Sequence, residues 1–136
     1  MKFRAILVVA AAVVAMSCSE PIALEGVEWQ ATILGGEQIK GLDSDSYTIL
    51  LGEDQQLSGK GECNRIIGKY SLTDGGKLTI ESRGTTMMFC PNLELEERFI
   101  KALESTTSYA VKGGKLTLYT GDKGDRPFAT FTPLVR

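Results

Sequence analysis

The residues able to do chemistry are three cysteines, Cys18, Cys63 and Cys90, and several carboxylate clusters, in a chain without histidine. Losing histidine removes the commonest general base, the commonest metal ligand and the usual physiological pH switch. Cys63 and Cys90 lack the Cys-x-x-Cys spacing that lowers a thiol pKa for exchange chemistry. Two thiolates also fall short of the four ligands that zinc takes. In an oxidising compartment the expectation is a structural disulfide, stabilising by roughly 3–4 kcal/mol for a loop of this length in the chain-entropy model.

The carboxylates offer less. Asp43/Asp45, Glu53/Asp54, Glu94/Glu96/Glu97 and Asp122/Asp125 fall in turn-like stretches or along a helix-patterned segment. Solvation is the ordinary reason for charges there, and a glycosidase-like pair would have to face itself across a cleft. Asp43-x-Asp45 lacks the glycine that an EF-hand loop needs at its sixth position, where Thr48 stands. Gly59-Lys60-Gly61 lacks the Gly-Lys-Ser/Thr ending of a phosphate-binding loop. No catalytic residue, metal or cofactor is expected. Asn64, Arg65 and Tyr70 are the remaining candidates, either tying the turn and packing in the core or contacting a ligand. Of Met87 and Met88, strand alternation would send at most one into the core.

Cys18 belongs to a different chemistry. Lys2 and Arg4 form a basic start, and residues 5–15 are an unbroken apolar run. As a helix that run is about 16 Å long, roughly half a bilayer core, so it reads as a signal-peptide core and not a span. Val14-Ala15-Met16-Ser17-Cys18 then resembles a bacterial lipobox. Acylation of Cys18 explains the odd cysteine count by leaving Cys63 and Cys90 as a pair. Two or three acyl chains anchor a small protein stably where one does not. The expected layout is a signal peptide over residues 1–17, a lipidated tether over 18–26 and one domain over 27–136. With Ser19 after the cysteine, sorting favours the outer membrane of a two-membrane envelope.

The elements that would position these residues are mostly short strands. Apolar and charged fractions of 43% and 24% are those of an ordinary globular domain. A net charge of −2, more acidic once Lys2 and Arg4 leave, gives no electrostatic reason to bind nucleic acid. Strands are expected at 27–34 (with alternation carrying Ile33 inward), 47–51, 57–62, 66–72, 77–80, 85–89, 109–112, 115–119 and 128–132. Gly59 and Gly61 suggest a bulge or a close backbone approach. Gly113-Gly114 is a two-residue hairpin turn. Leu95, Phe99, Ala102 and Leu103 recur with helical period behind an Asn92 cap, leaving Glu96, Glu97, Arg98, Lys101 and Glu104 mostly outward. The fold class is mainly β, a curved antiparallel sheet or partly open lipocalin-like barrel with one packed helix.

Three stretches together resemble the META/HslJ family of small envelope and secreted domains. They are Ser58-Gly59-Lys60-Gly61-Glu62-Cys63-Asn64-Arg65-Ile66-Ile67-Gly68-Lys69-Tyr70, Thr85-Thr86-Met87-Met88-Phe89-Cys90-Pro91, and Glu96-x-x-Phe99 with Ala102-Leu103, Ser108-Tyr109 and Lys115-Leu116-Thr117-Leu118. Trp29 stands where that family has its N-terminal tryptophan, and Glu62 departs from the family by replacing a glycine. The resemblance implies a strongly curved sheet or barrel with one helix. It also implies non-enzymatic envelope roles in heat shock, stress or drug tolerance, or secretion-related virulence.

The expected function is therefore a non-catalytic lipoprotein of the cell envelope, joined to the membrane through acylated Cys18 and acting by binding or by structure. Two alternatives compete. One is a carrier of a small hydrophobic ligand or lipid inside the barrel, which a core filled by Trp29, Ile49, Leu78, Phe99, Leu116 and Phe131 would oppose and an apolar cavity beyond about 300 Å³ would favour. The other is a pilot-like module that recruits an envelope protein.

Overall fold

Alternation along short strands decides which side chains meet. The computed structural model describes Ala10, residues 22–121 and residues 126–135; Cys18, most of the leader, Asp122 and Asp125 lie outside them. In β1 (Glu28–Leu34), Trp29 and Ala31 point inward. A register shift between Ala31 and Ile33 then inserts one residue, and the extra residue flips the phase of those that follow. Leu34 reaches the interior, while Ile33, expected inward, is 38% exposed.

Gly35 and Gly36, both at positive φ, turn the chain into the two-residue β2 (Glu37–Gln38), which folds back on the end of β1. There follow β3 (Thr48–Leu51), a 3-10 turn (Glu53–Gln55), β4 (Gln56–Lys60), β5 (Arg65–Thr73), β6 (Lys77–Thr85), helix α1 (Leu93–Glu104), β7 (Thr106–Lys112), β8 (Lys115–Thr120) and β9 (Arg126–Pro133). Pairing is antiparallel throughout in the order β1, β3, β4 and on to β9, and β9 returns to β1 from Trp29↔Pro133 to Leu34↔Ala129. Eight strands thus close a barrel, which removes the sheet edges that an open form would leave. The strand expected at 85–89 is absent: β6 runs on through Thr85, and residues 86–89 lie outside any ladder.

An eight-stranded barrel has an interior just wide enough for side chains to fill. Trp29, Ile49, Leu78, Phe99, Leu116 and Phe131 are fully buried there. The two ends are closed differently. At the entry end, buried Leu24 accepts a hydrogen bond from Trp29 Nε1 at 3.0 Å, and Gly26 N–H donates to Leu51 at 2.8 Å. The turns after β3 and β5 and the β7–β8 hairpin share that end. At the other, α1 lies against β6 and β1 and buries Phe99, Ala102 and Leu103. The β4–β5 turn and residues 86–92 gather beneath the start of the helix.

Candidate functional site

The polar chemistry of the described residues concentrates where the β4–β5 turn meets α1. Gly61 opens the turn: its N–H donates to Asn64 O at 2.8 Å, and its carbonyl accepts from Tyr47 N–H at 3.1 Å. A Cβ at Gly61 would fall on the carboxylate of Glu96, so a close approach, as the glycine spacing suggested, is what this position serves. Next in the chain, Cys63 is joined to Cys90 with Cα atoms 5.9 Å apart, closing a sequence separation of 27.

Asn64, 4% exposed, uses its whole hydrogen-bonding capacity. Its Nδ2 donates to Glu96 Oε2 at 2.7 Å and to Met88 O at 3.1 Å. Its Oδ1 accepts from Met88 N–H at 2.7 Å and from Thr86 Oγ1 at 2.9 Å. Its backbone N–H donates to Glu96 Oε1 at 3.1 Å. Both backbone groups of Met88 are therefore paired with a side-chain amide, as a strand neighbour would pair them. That is the physical reason residues 86–89 stay out of the ladder yet remain in place. Thr86 N–H also donates to Arg65 O at 3.1 Å, and Arg65 N–H donates to Thr86 Oγ1 at 2.9 Å.

Glu96 corrects an expectation. It belongs to the helix face assigned to solvent, yet it is 4% exposed and holds two donors of Asn64. A buried carboxylate needs such donors to offset its lost hydration. A signal for it was present: residues 96, 99 and 103 stand at i, i+3 and i+7, on one face with Phe99 and Leu103. Glu62 also has a task, its Oε2 accepting from Asn92 N–H at 2.6 Å, where negative charge suits a helix start. Asn92 Oδ1 in turn accepts from Leu95 N–H, as an N-cap does.

Tyr47 sits beneath this cluster with φ +56°, a backbone conformation that costs a bulky residue about 1–3 kcal/mol. Its ring meets Phe99 edge-on at 5.5 Å. Its hydroxyl has no hydrogen-bond partner among the described residues. Burial, reinforced by the charges of Glu62 and Glu96, raises its pKa and keeps it neutral.

The candidates Asn64, Arg65 and Tyr70 do not form one site. Tyr70 lies at the entry end, its hydroxyl 2.6 Å from both Glu25 Oε2 and Gly52 O. Arg65 is exposed on the outer face, lining a hollow of about 300 Å³ with Glu28, Asp45 and Lys60. Lys60 pairs there with Asp45 at 3.1 Å. Neither methionine is core, since Met87 is 92% and Met88 60% exposed. A further hollow of about 600 Å³ opens beside α1, where Leu34, Ile39 and Leu95 are ringed by Glu37, Lys40, Glu94 and Arg98. It lies outside the barrel, whose interior is occupied by side chains.

These features define a class: a small, closed antiparallel barrel with a helix over one end and a disulfide beside a buried Asn–carboxylate pair. The META domain model matches residues 22–131, and the chain belongs to that family. Two similar solved structures are NMR structures at 25% identity. One, of a protein from Burkholderia xenovorans, has a TM-score of 0.62 and covers 83% of this chain and 85% of its own. The second has a TM-score of 0.59, with coverage of 80% and 90%. A crystal structure of a DUF4847 family protein from Bacteroides vulgatus is alike in fold, with 19% identity, a TM-score of 0.52 and coverage of 62% and 57%. No curated protein matches the chain significantly. Neither this family nor this barrel is typical of enzymes.

Proposed function

We propose that the protein is a non-catalytic lipoprotein of the cell envelope, exported by its leader and held to the membrane by acylated Cys18. On this reading it supports stress or drug tolerance by binding a partner, with the outer membrane as its station. The observation that carries the non-catalytic part is the use made of the buried polar groups. Asn64 and Glu96 are buried and turn their polar atoms to backbone groups, to Thr86 and to each other, so neither is presented to a substrate. The carrier alternative loses its motivation because Trp29, Phe99 and Phe131 and their neighbours fill the barrel.

Metabolic labelling with an alkyne fatty acid tests the anchor. The wild-type chain is expected to take up label and sediment with membranes, and Cys18→Ser to lose both. An unlabelled wild type, or a label that survives Cys18→Ser, would overturn the anchoring. Turnover that one side-chain change abolishes would overturn the non-catalytic reading.

A further inference from the structure

We propose that residues 86–89 form a docking edge for an extended, apolar peptide segment of another protein. Thr86 N–H and both backbone groups of Met88 face β5 and Asn64. In an extended chain, groups at i and i+2 face one way, so those of Met87 and Phe89 face the other. Among the described residues no hydrogen bond reaches those groups, and the two residues are each 92% exposed. An unpaired edge with apolar side chains is what a partner strand recognises, its backbone supplying affinity and its alternate side chains specificity. The edge is also pre-ordered, held by Asn64 before it and by the Cys63–Cys90 bond after it, so a partner would have little conformational entropy of this chain to remove.

Two other occupants fit less well. A second copy of this chain would bury too little, because three large side chains offer roughly 500 Å² where a stable dimer needs about 800 Å² per partner. A lipid surface would leave the outward backbone groups of Met87 and Phe89 without partners, and it lies at the far end when the barrel stands on its entry end. Ile22 lies beside the β7–β8 hairpin, its Cδ1 3.8 Å from where a Gly114 Cβ would stand. The residues between Cys18 and Ile22 reach at most about 14 Å, whereas strands as long as nine residues separate the entry end from residues 86–89. This deepens the binding reading above, and it depends on the anchor only for the direction in which the edge faces.

The test titrates full-length lipidated protein, in vesicles of phosphatidylethanolamine and phosphatidylglycerol, into a fluorescent Val-Thr-Val-Thr-Val-Thr peptide followed by anisotropy. Binding is expected, at least tenfold weaker for the same peptide with consecutive central N-methyl groups, which cannot form a ladder. It should also weaken at least tenfold for the Met87→Ser/Phe89→Ser double variant, whose near-UV circular dichroism should match wild type because both side chains are exposed. Absent binding, or binding indifferent to methylation or to the double variant, overturns the proposal. So would self-association lost in the double variant, or quenching of a Phe89→Trp variant by brominated lipids beyond that of wild type. Failure of the anchor is read separately: if Cys18 carries no fatty acid, the same titration is run on the exported chain in solution.

Discussion

The Asn64 amide and the Glu96 carboxylate meet at 2.7 Å, joining residues 32 positions apart. A second bond runs from Asn64 N–H to the other carboxylate oxygen at 3.1 Å, so the turn and the helix grip each other at two points. Through the remaining bonds of Asn64 the same pair fixes Thr86 and Met88. The helix end of the barrel is thus organised around one buried acid.

Replacing that acid should be costly for a helix glutamate. Glu96→Ala leaves two buried donors unmatched and should destabilise by about 3 kcal/mol or more, whereas Glu96→Gln, which keeps one acceptor oxygen, should cost about 1–3 kcal/mol. Exposed Glu97 is the control, and Glu97→Ala should fall within about 0.5 kcal/mol of wild type. Urea unfolding of all three settles the order. Equal effects at 96 and 97 would return Glu96 to the solvent face to which its charge had assigned it.

Much of the barrel was legible because side-chain phase and turn chemistry are local. Gly113 and Gly114 take the positive φ that their hairpin requires, and Leu78, Ile80, Leu116 and Leu118 alternate inward as written. What escaped depended on distant partners. A strand was expected at 85–89 from composition, but Asn64, far back in the chain, satisfies Met88 in place of a neighbouring strand. Glu96 looked solvated until the donors on Asn64 were placed beside it. The bulge before Ile33 follows from the register β1 keeps with β9, which no local pattern encodes. Closure of the barrel rests on the same long-range pairing.

Two glycines test how tightly the cluster is packed. A Cβ at Gly61 would overlap the Glu96 carboxylate, while a Cβ at Gly84 would meet nothing within 4 Å. Gly61→Ala should therefore cost about 2–3 kcal/mol by displacing the acid from its donors. Gly84→Ala should lie within about 0.5 kcal/mol of wild type. A neutral Gly61→Ala, measured by thermal or denaturant unfolding, would show that α1 can shift without loss.

The Cys63–Cys90 bond and Asn64 both hold residues 86–89, the Asn64 amide also lying 3.3 Å from Cys90 Sγ, and each leaves its own mark. The Cys63→Ser/Cys90→Ser variant should lose about 2–4 kcal/mol of stability. In the native protein the Met88 amide, bonded to Asn64 Oδ1, should exchange with deuterium far more slowly than those of exposed Met87 and Phe89. In the double variant that contrast should shrink but persist. Uniformly fast exchange across 87–89 in the native protein would mean that the Asn64 amide does not hold Met88.

At the entry end, Tyr70 makes stability depend on alkaline pH. Burial, together with the hydrogen bond to Glu25 and its charge, pushes the Tyr70 pKa from 10.0 up to about 12. Between those values the unfolded chain releases the phenolic proton and the folded chain keeps it, so unfolding is favoured as pH rises. The contribution is fully present below about pH 10 and is lost as pH climbs through about 12. An unscreened shift is worth roughly 1.4 kcal/mol per pKa unit, and solvent screening at the barrel end reduces the contribution to about 1 kcal/mol. Tyr70→Phe removes the titrating group and takes away the one proton that Glu25 Oε2 and Gly52 O share, each 2.6 Å from the lost hydroxyl. That variant should be less stable by about 1–2 kcal/mol at pH 7. The deficit should narrow above pH 10, because only the wild type then has a Tyr70 proton to lose. Urea midpoints taken from pH 7 to 11 would show it; parallel curves would place the Tyr70 hydroxyl in water.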